Sequence, residues 1–127
     1  MKIFVFVVVL VALATYCSGS SPRPRKVVEG RLIPTDAFIE KLVGLVKVDL
    51  TNRLKNDKVS VTQFKVVNYK LIGKSGCCFH FYMAKIQVNS SKNGYVLISL
   101  TSNDVPGTAE DLKYLANVTE TDPYYQL

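Results

Sequence analysis

The sequence predicts an α+β domain: one long N-terminal helix wrapped by a four-stranded antiparallel sheet, with an extended arm adding a further strand. Three observations predict it. Between Thr35 and Lys55, the residues Phe38, Ile39, Leu42, Val43, Val46, Leu50 and Leu54 recur at helical spacing along one broad side. From Val59 onward the chain changes to short runs rich in Val, Thr, Phe and Tyr, the composition of strands. Short polar or glycine-bearing breaks separate those runs, which places consecutive strands side by side.

Each element has its own signals. Residues 1–19 read as a secretory signal peptide: Lys2, an apolar run from Ile3 to Ala14, then Ser18, Gly19 and Ser20, with cleavage after Gly19 or Ser20. The apolar run is too short to span a bilayer, which needs about 20 residues. Residues 20–34 form an extended arm whose early prolines oppose helix. Pro34 and Thr35 open the helix, with Thr35 as cap and Asp36 at its positive end. Gly44 weakens the helix interior by about 1 kcal/mol, so packing on the sheet must supply its stability.

A strand then runs from Val59 to Leu71, with a bulge or bend near Phe64 to reconcile its two halves. Gly73 to Gly76 is the first hairpin turn, Cys77 to Val88 the second strand, and Asn89 to Gly94 a polar turn. Tyr95 to Thr101 and Leu112 to Thr119 complete the sheet, joined by a loop over Ser102 to Gly107. The domain thus covers 35–119, and residues 120–127 read as a loose tail.

The 127-residue chain carries a net charge of +6. Arg23, Arg25, Lys26 and Arg31 concentrate basic charge in the arm, which suits an acidic surface. Nucleic-acid binding is not expected, because the arm lacks interleaved aromatics. Cys17 leaves with the signal peptide. Cys77 and Cys78 are adjacent, so they remain as thiols, a strained vicinal disulfide, or a bond to another chain that makes a dimer of an otherwise monomeric protein. Asn89-Ser90-Ser91 and Asn117-Val118-Thr119 match the glycosylation pattern, and the polar turn favours Asn89.

Catalytic constellations are not found. His80 is the single histidine and lies too close in sequence to Cys77 and Cys78 to build a nucleophile with an orienting third group. No second ligand pair supports zinc there, and no cofactor is expected. Gly73-Lys74-Ser75 lacks the earlier glycine of a phosphate loop, having Asn68 in that place, and it leads into a strand. Asp104, Glu110 and Asp111 lie in or beside loops with no aromatic sugar platform. A non-enzymatic protein is expected.

The order of elements resembles the cystatin family, the secreted inhibitors of papain-like cysteine proteases, over nearly the whole mature chain. Gly30 matches the family's arm glycine, and Val46, Val48 and Asn52 match positions of its helix motif. Ile72-Gly73-Lys74-Ser75-Gly76 stands where the family has Gln-Val-Val-Ala-Gly, and Phe79 and Phe81 match the following Tyr-x-Leu. Pro106-Gly107 occupies the position of the family's Pro-Trp loop. Of the first-loop motif only Gly76 is kept, the chain has no Trp, and the family's two disulfides are absent.

The resemblance implies a wedge that occludes a papain-like protease cleft without chemistry. It would be built from Gly30, the loop Ile72, Gly73, Lys74, Ser75 and Gly76, and the loop Val105, Pro106 and Gly107. The alternative is a non-inhibitory binding module that keeps the fold and recognises another protein, a glycan or an anionic surface.

Overall fold

The computed structural model describes residues 26–75, 79–103 and 108–127, with residues 74 and 75 described by their backbone. The expected signal peptide and the arm up to residue 25 lie outside them. The architecture is α+β, with two helices on one face of a five-stranded antiparallel sheet. In chain order the elements are β1 (Ile33–Pro34), α1 (Ala37–Gly44), α2 (Lys47–Asn56), β2 (Lys65–Ser75), β3 (Phe79–Gln87), β4 (Tyr95–Asn103) and β5 (Glu110–Val118). The strands lie in sequence order across the sheet, so after β1 the chain forms its helices and returns to pair β2 beside it.

The single long helix is corrected to two. After Gly44 the backbone tightens: Leu45 N–H donates to Leu42 and Val46 N–H to Val43, three residues back rather than four. Glycine is a weak helix former and Val43, Val46 and Val48 are β-branched, so this is where the ladder yields. The break still leaves Ile39, Leu42, Val43, Val46, Leu50 and Leu54 buried together. Phe38 leaves that side and leans on the Tyr82 ring at 5.5 Å.

The cap is also corrected. Asp36, not Thr35, is the residue before the first turn, and its Oδ1 accepts from Ile39 N–H at 3.0 Å. A carboxylate satisfies a free helix N–H and complements the helix dipole together, which a hydroxyl cannot do. Its other oxygen accepts from the Tyr69 hydroxyl at 2.7 Å, tying the helix start to the middle of β2. At the far end α2 stops in a Schellman turn: Val59 N–H donates to Leu54 and Lys58 N–H to Lys55, with Lys58 at φ +62°.

Val59 and Val61 precede β2 rather than opening it, and Thr62 and Gln63 N–H groups both reach the Val88 carbonyl. The expected bulge falls slightly later, between Val66 and Asn68, and a second interrupts β2 between Leu71 and Gly73. The first lets Val66 and Tyr69, three apart, both enter the core. On β5, register shifts coincide with positive φ at Asp111 and Asn117, which bend the exposed edge strand.

The main core packs both helices against Val66, Tyr69, Ala84, Ile86, Val96, Ile98, Leu100 and Leu112. The opposite face is apolar too. Met83, Leu97, Val118 and Tyr124 form a second buried cluster, flanked by Val28, Leu115, Tyr125 and Leu127. The tail is therefore not loose.

The Asp36 carboxyl is held below its ordinary range, first by the Ile39 N–H and next by the Tyr69 hydroxyl, while burial and Asp36 push Tyr69 up to about 12. The folded chain binds the Asp36 proton more weakly than the unfolded chain, whose aspartates titrate near ~3.9. Its contribution to stability is thus present above that value and lost as pH falls through the folded one. Asp36→Asn keeps an acceptor but cannot titrate. Thermal unfolding followed by circular dichroism should show the wild-type Tm falling more steeply than that of D36N between about pH 4 and pH 2; parallel slopes would contradict the role assigned to Asp36.

Candidate functional site

Antiparallel register decides which parts of the chain share an end of the sheet. Ser75 opposes Phe79 and Phe79 opposes Asn103, so the end of β2, the start of β3 and the end of β4 lie together. Thr101 opposes Glu110, which brings the start of β5 to the same end. On the other flank Ile33 opposes Tyr69, and backing up from Ile33 carries the arm toward this end as well. A Cβ on Gly30 would sit 3.9 Å from the Leu71 carbonyl.

Of the residues expected to form a wedge, the structure therefore gathers Gly30, Ile72, Gly73, Lys74 and Ser75. Gly76, Val105, Pro106 and Gly107 lie outside the described residues, as do Cys77 and Cys78. Gly73, Lys74 and Ser75 are corrected from turn to strand: they pair with Phe81, His80 and Phe79, extending the hairpin arms further than the glycines imply. The extra residue of the second bulge is Ile72, so Leu71 and Gly73 pair with consecutive residues, Tyr82 and Phe81.

This end carries exposed apolar surface. Leu71, Ile72, Phe79 and Phe81 are each 38–42% exposed, and such grouped apolar exposure marks an interaction surface more often than a single stray side chain does. Val48, one of the helix positions that carried the family resemblance, is 75% exposed and contributes nothing to the core. Among the described residues there is no group of three His, Cys, Asp or Glu side chains placed to hold a metal ion, and no helix long and apolar enough to cross a membrane.

The feature that sequence reasoning missed lies over the outer face. Val27 bridges Tyr125 in antiparallel fashion: Val28 N–H donates to the Tyr124 carbonyl at 2.7 Å and Gln126 N–H to the Lys26 carbonyl at 2.8 Å. Beneath this ribbon Lys85, only 3% exposed, donates from Nζ to the carbonyls of Glu120 at 2.8 Å and Asp122 at 2.6 Å. Burial lowers the Lys85 pKa from its ordinary value, opposed by nearby Asp122 and Glu120. Lys70 Nζ donates to the Val28 carbonyl at 3.1 Å and lies over the Tyr124 ring, as Lys85 does. The Tyr124 hydroxyl reaches the Asn68 carbonyl at 2.9 Å, and burial pushes its pKa well up.

The arm thus does not continue along the edge of β2. At Gly30, where φ is +136°, it turns back onto the outer face. Glycine is required there because other residues rarely adopt that backbone conformation.

The two expected glycosylation sites differ in freedom. Asn89 is built into its turn: its Nδ2 donates to the Ser60 carbonyl at 2.8 Å and its Oδ1 accepts from Ser91 N–H at 2.9 Å. A Cβ on Gly94 would collide with it. Asn117 is exposed at the β5 bulge, with φ +60°.

Compared with protein-family models, curated protein sequences and solved structures, the chain has no match.

The pinned tail predicts large effects from residues that a loose one would not feel. Tyr124→Ala should cost about 3 kcal/mol by emptying the second cluster. Lys85→Met, leaving two carbonyls without their donor, should cost about 1–3 kcal/mol. Urea unfolding of both variants measures this, and near-neutral values would contradict the packing described.

Proposed function

We propose that the chain is a secreted, non-enzymatic inhibitor of a papain-like cysteine protease, which it blocks by inserting the hairpin end of its sheet into the active-site cleft. The observation that carries the proposal is the convergence of Gly30, Ile72, Gly73 and the flanks of the β4–β5 connection at one end of the sheet, where Leu71, Ile72, Phe79 and Phe81 stay exposed. Occlusion needs an apolar projection on a rigid support rather than a nucleophile or a metal. A continuous antiparallel sheet is such a support, because every strand leading to this end is paired with a neighbour. The resemblance to cystatins supplies the target class.

A second reading has its own observation. The arm ahead of Gly30 is docked on the tail rather than projecting, which favours a module that keeps the scaffold and binds a different partner with the same end. Titration of active papain and a lysosomal cathepsin separates the two. Stoichiometric loss of peptidase activity, weakened roughly tenfold or more by Ile72→Asp, supports the inhibitor. Inhibition that this variant leaves unchanged contradicts insertion of the hairpin end, and none at micromolar protein turns the reading to the binding module.

Secretion belongs to the same proposal and bears on the acceptor asparagines. A glycan on Asn89 has to grow from a nitrogen already bonded to the Ser60 carbonyl, whereas Asn117 is open. When the chain is expressed through a eukaryotic secretory route, Asn117→Gln should abolish the glycan mass increment and Asn89→Gln should leave it, as read by mass spectrometry of the intact protein. The opposite assignment would contradict the local geometry.

A further inference from the structure

The geometry points to an intramolecular clamp: the C-terminal segment Tyr124–Gln126 holds the arm residues Lys26–Val28 on the outer face of the sheet and so withholds them from the hairpin end. The inference rests on the inhibitory reading above and concerns how that site is regulated.

Three features make this ribbon a clamp rather than part of the sheet. It is short, with two backbone hydrogen bonds around the single bridge between Val27 and Tyr125. Further ties on the arm include the Lys70 bond to the Val28 carbonyl and the packing of Val28 on the second cluster. Its two halves are anchored unequally. The tail is fixed from below by Lys85 through the Glu120 and Asp122 carbonyls and by the buried Tyr124, whereas Val27 on the arm is 46% exposed.

The third feature is the turn at Gly30. In the register set by Ile33 and Tyr69, an arm running straight would continue beside Leu71 and Ile72 toward the exposed apolar end. With φ at +136°, Gly30 instead reverses the arm onto the outer face. Glycine has ready access to extended conformations as well, so release of the ribbon allows the arm to swing about this residue and lie along the open edge of β2. The docked arm is then a closed state and the released arm an open one. A partner that needs the arm binds with an affinity reduced by the fraction of molecules that are open.

Gln126→Pro tests the clamp with little effect on the core. Proline removes the N–H that donates to the Lys26 carbonyl while fitting the extended backbone of a strand edge. Opening should rise about fivefold, the factor matching one ordinary hydrogen bond. Two readouts on the full mature chain are needed: amide hydrogen exchange at Val28, and the association rate with active papain. A matching rise in both supports the inference.

Unchanged exchange at Val28 overturns it, because the ribbon then does not depend on this pairing. Faster exchange with an unchanged or slower association rate also overturns it, since the ribbon would then serve stability alone. If neither protein associates with papain or a cathepsin, the inhibitory reading fails and takes the gate with it, while the exchange data still report whether the ribbon opens. As a second variant, Lys70→Met keeps the Lys85 anchors of the tail and removes the donor to the Val28 carbonyl. It should raise exchange at Val28 in the same direction.

Discussion

Leu97 lies in the middle of β4, points away from both helices, and is nevertheless fully buried. The rest of the structure depends on that fact. A sheet with one apolar face needs one covering layer, and here α1 and α2 provide it. With Met83, Leu97 and Val118 on the other face, the sheet needs a second cover. Among the described residues no further helix lies on that face, and the arm and the tail do the covering. The tail brings Tyr124 over the cluster, and the arm lies beside it. The buried Lys85 follows from the same constraint: once the tail covers the face, the ammonium loses water and takes the carbonyls of Glu120 and Asp122 in exchange.

That constraint also shapes the hairpin end of the sheet. Because the arm is drawn onto the outer face, it leaves the edge of β2 at Gly30, and the hairpin end keeps its apolar residues uncovered. Leu71, Ile72, Phe79 and Phe81 lie beyond the reach of the tail, whose contacts fall on Met83, Leu97 and Val118. The middle of the outer face is therefore closed, while Leu71, Ile72, Phe79 and Phe81 stay exposed. Affinity at such a tip depends on a few anchoring side chains and on their preorganisation more than on area. The bulges on β2 serve this arrangement, since each inserts a residue that bends the strand and re-aims its side chains.

Much of the fold was legible in the sequence. The switch from helical to strand spacing after Asn56 located the two halves, and Val96, Ile98 and Leu100 all entered the core as their alternation implied. The break after Gly44 was less legible, because the apolar spacing runs on through it. The tail was misread for a physical reason: its partner is nearly a hundred residues away, and Asp, Tyr and Gln near a terminus look solvated. One signal did exist. Val96-Leu97-Ile98 is apolar without alternation, as expected for a strand buried on both faces. Lys85 concealed that signal, since a lysine between Met83 and Gln87 reads as solvent-facing. At the hairpin end the sequence places a turn at Gly73 to Ser75, whereas the structure pairs these residues with Phe81, His80 and Phe79. Two glycines mark a hairpin without fixing where its ladder ends.

The most direct test of this account is a nuclear Overhauser measurement between the Tyr124 ring protons and the Leu97 methyl groups in the full mature chain. The account predicts strong contacts there, together with contacts from the same ring to Met83 and Val118. Their absence, with Tyr124 showing the narrow lines of a free tail, would leave the outer face uncovered and contradict the central claim.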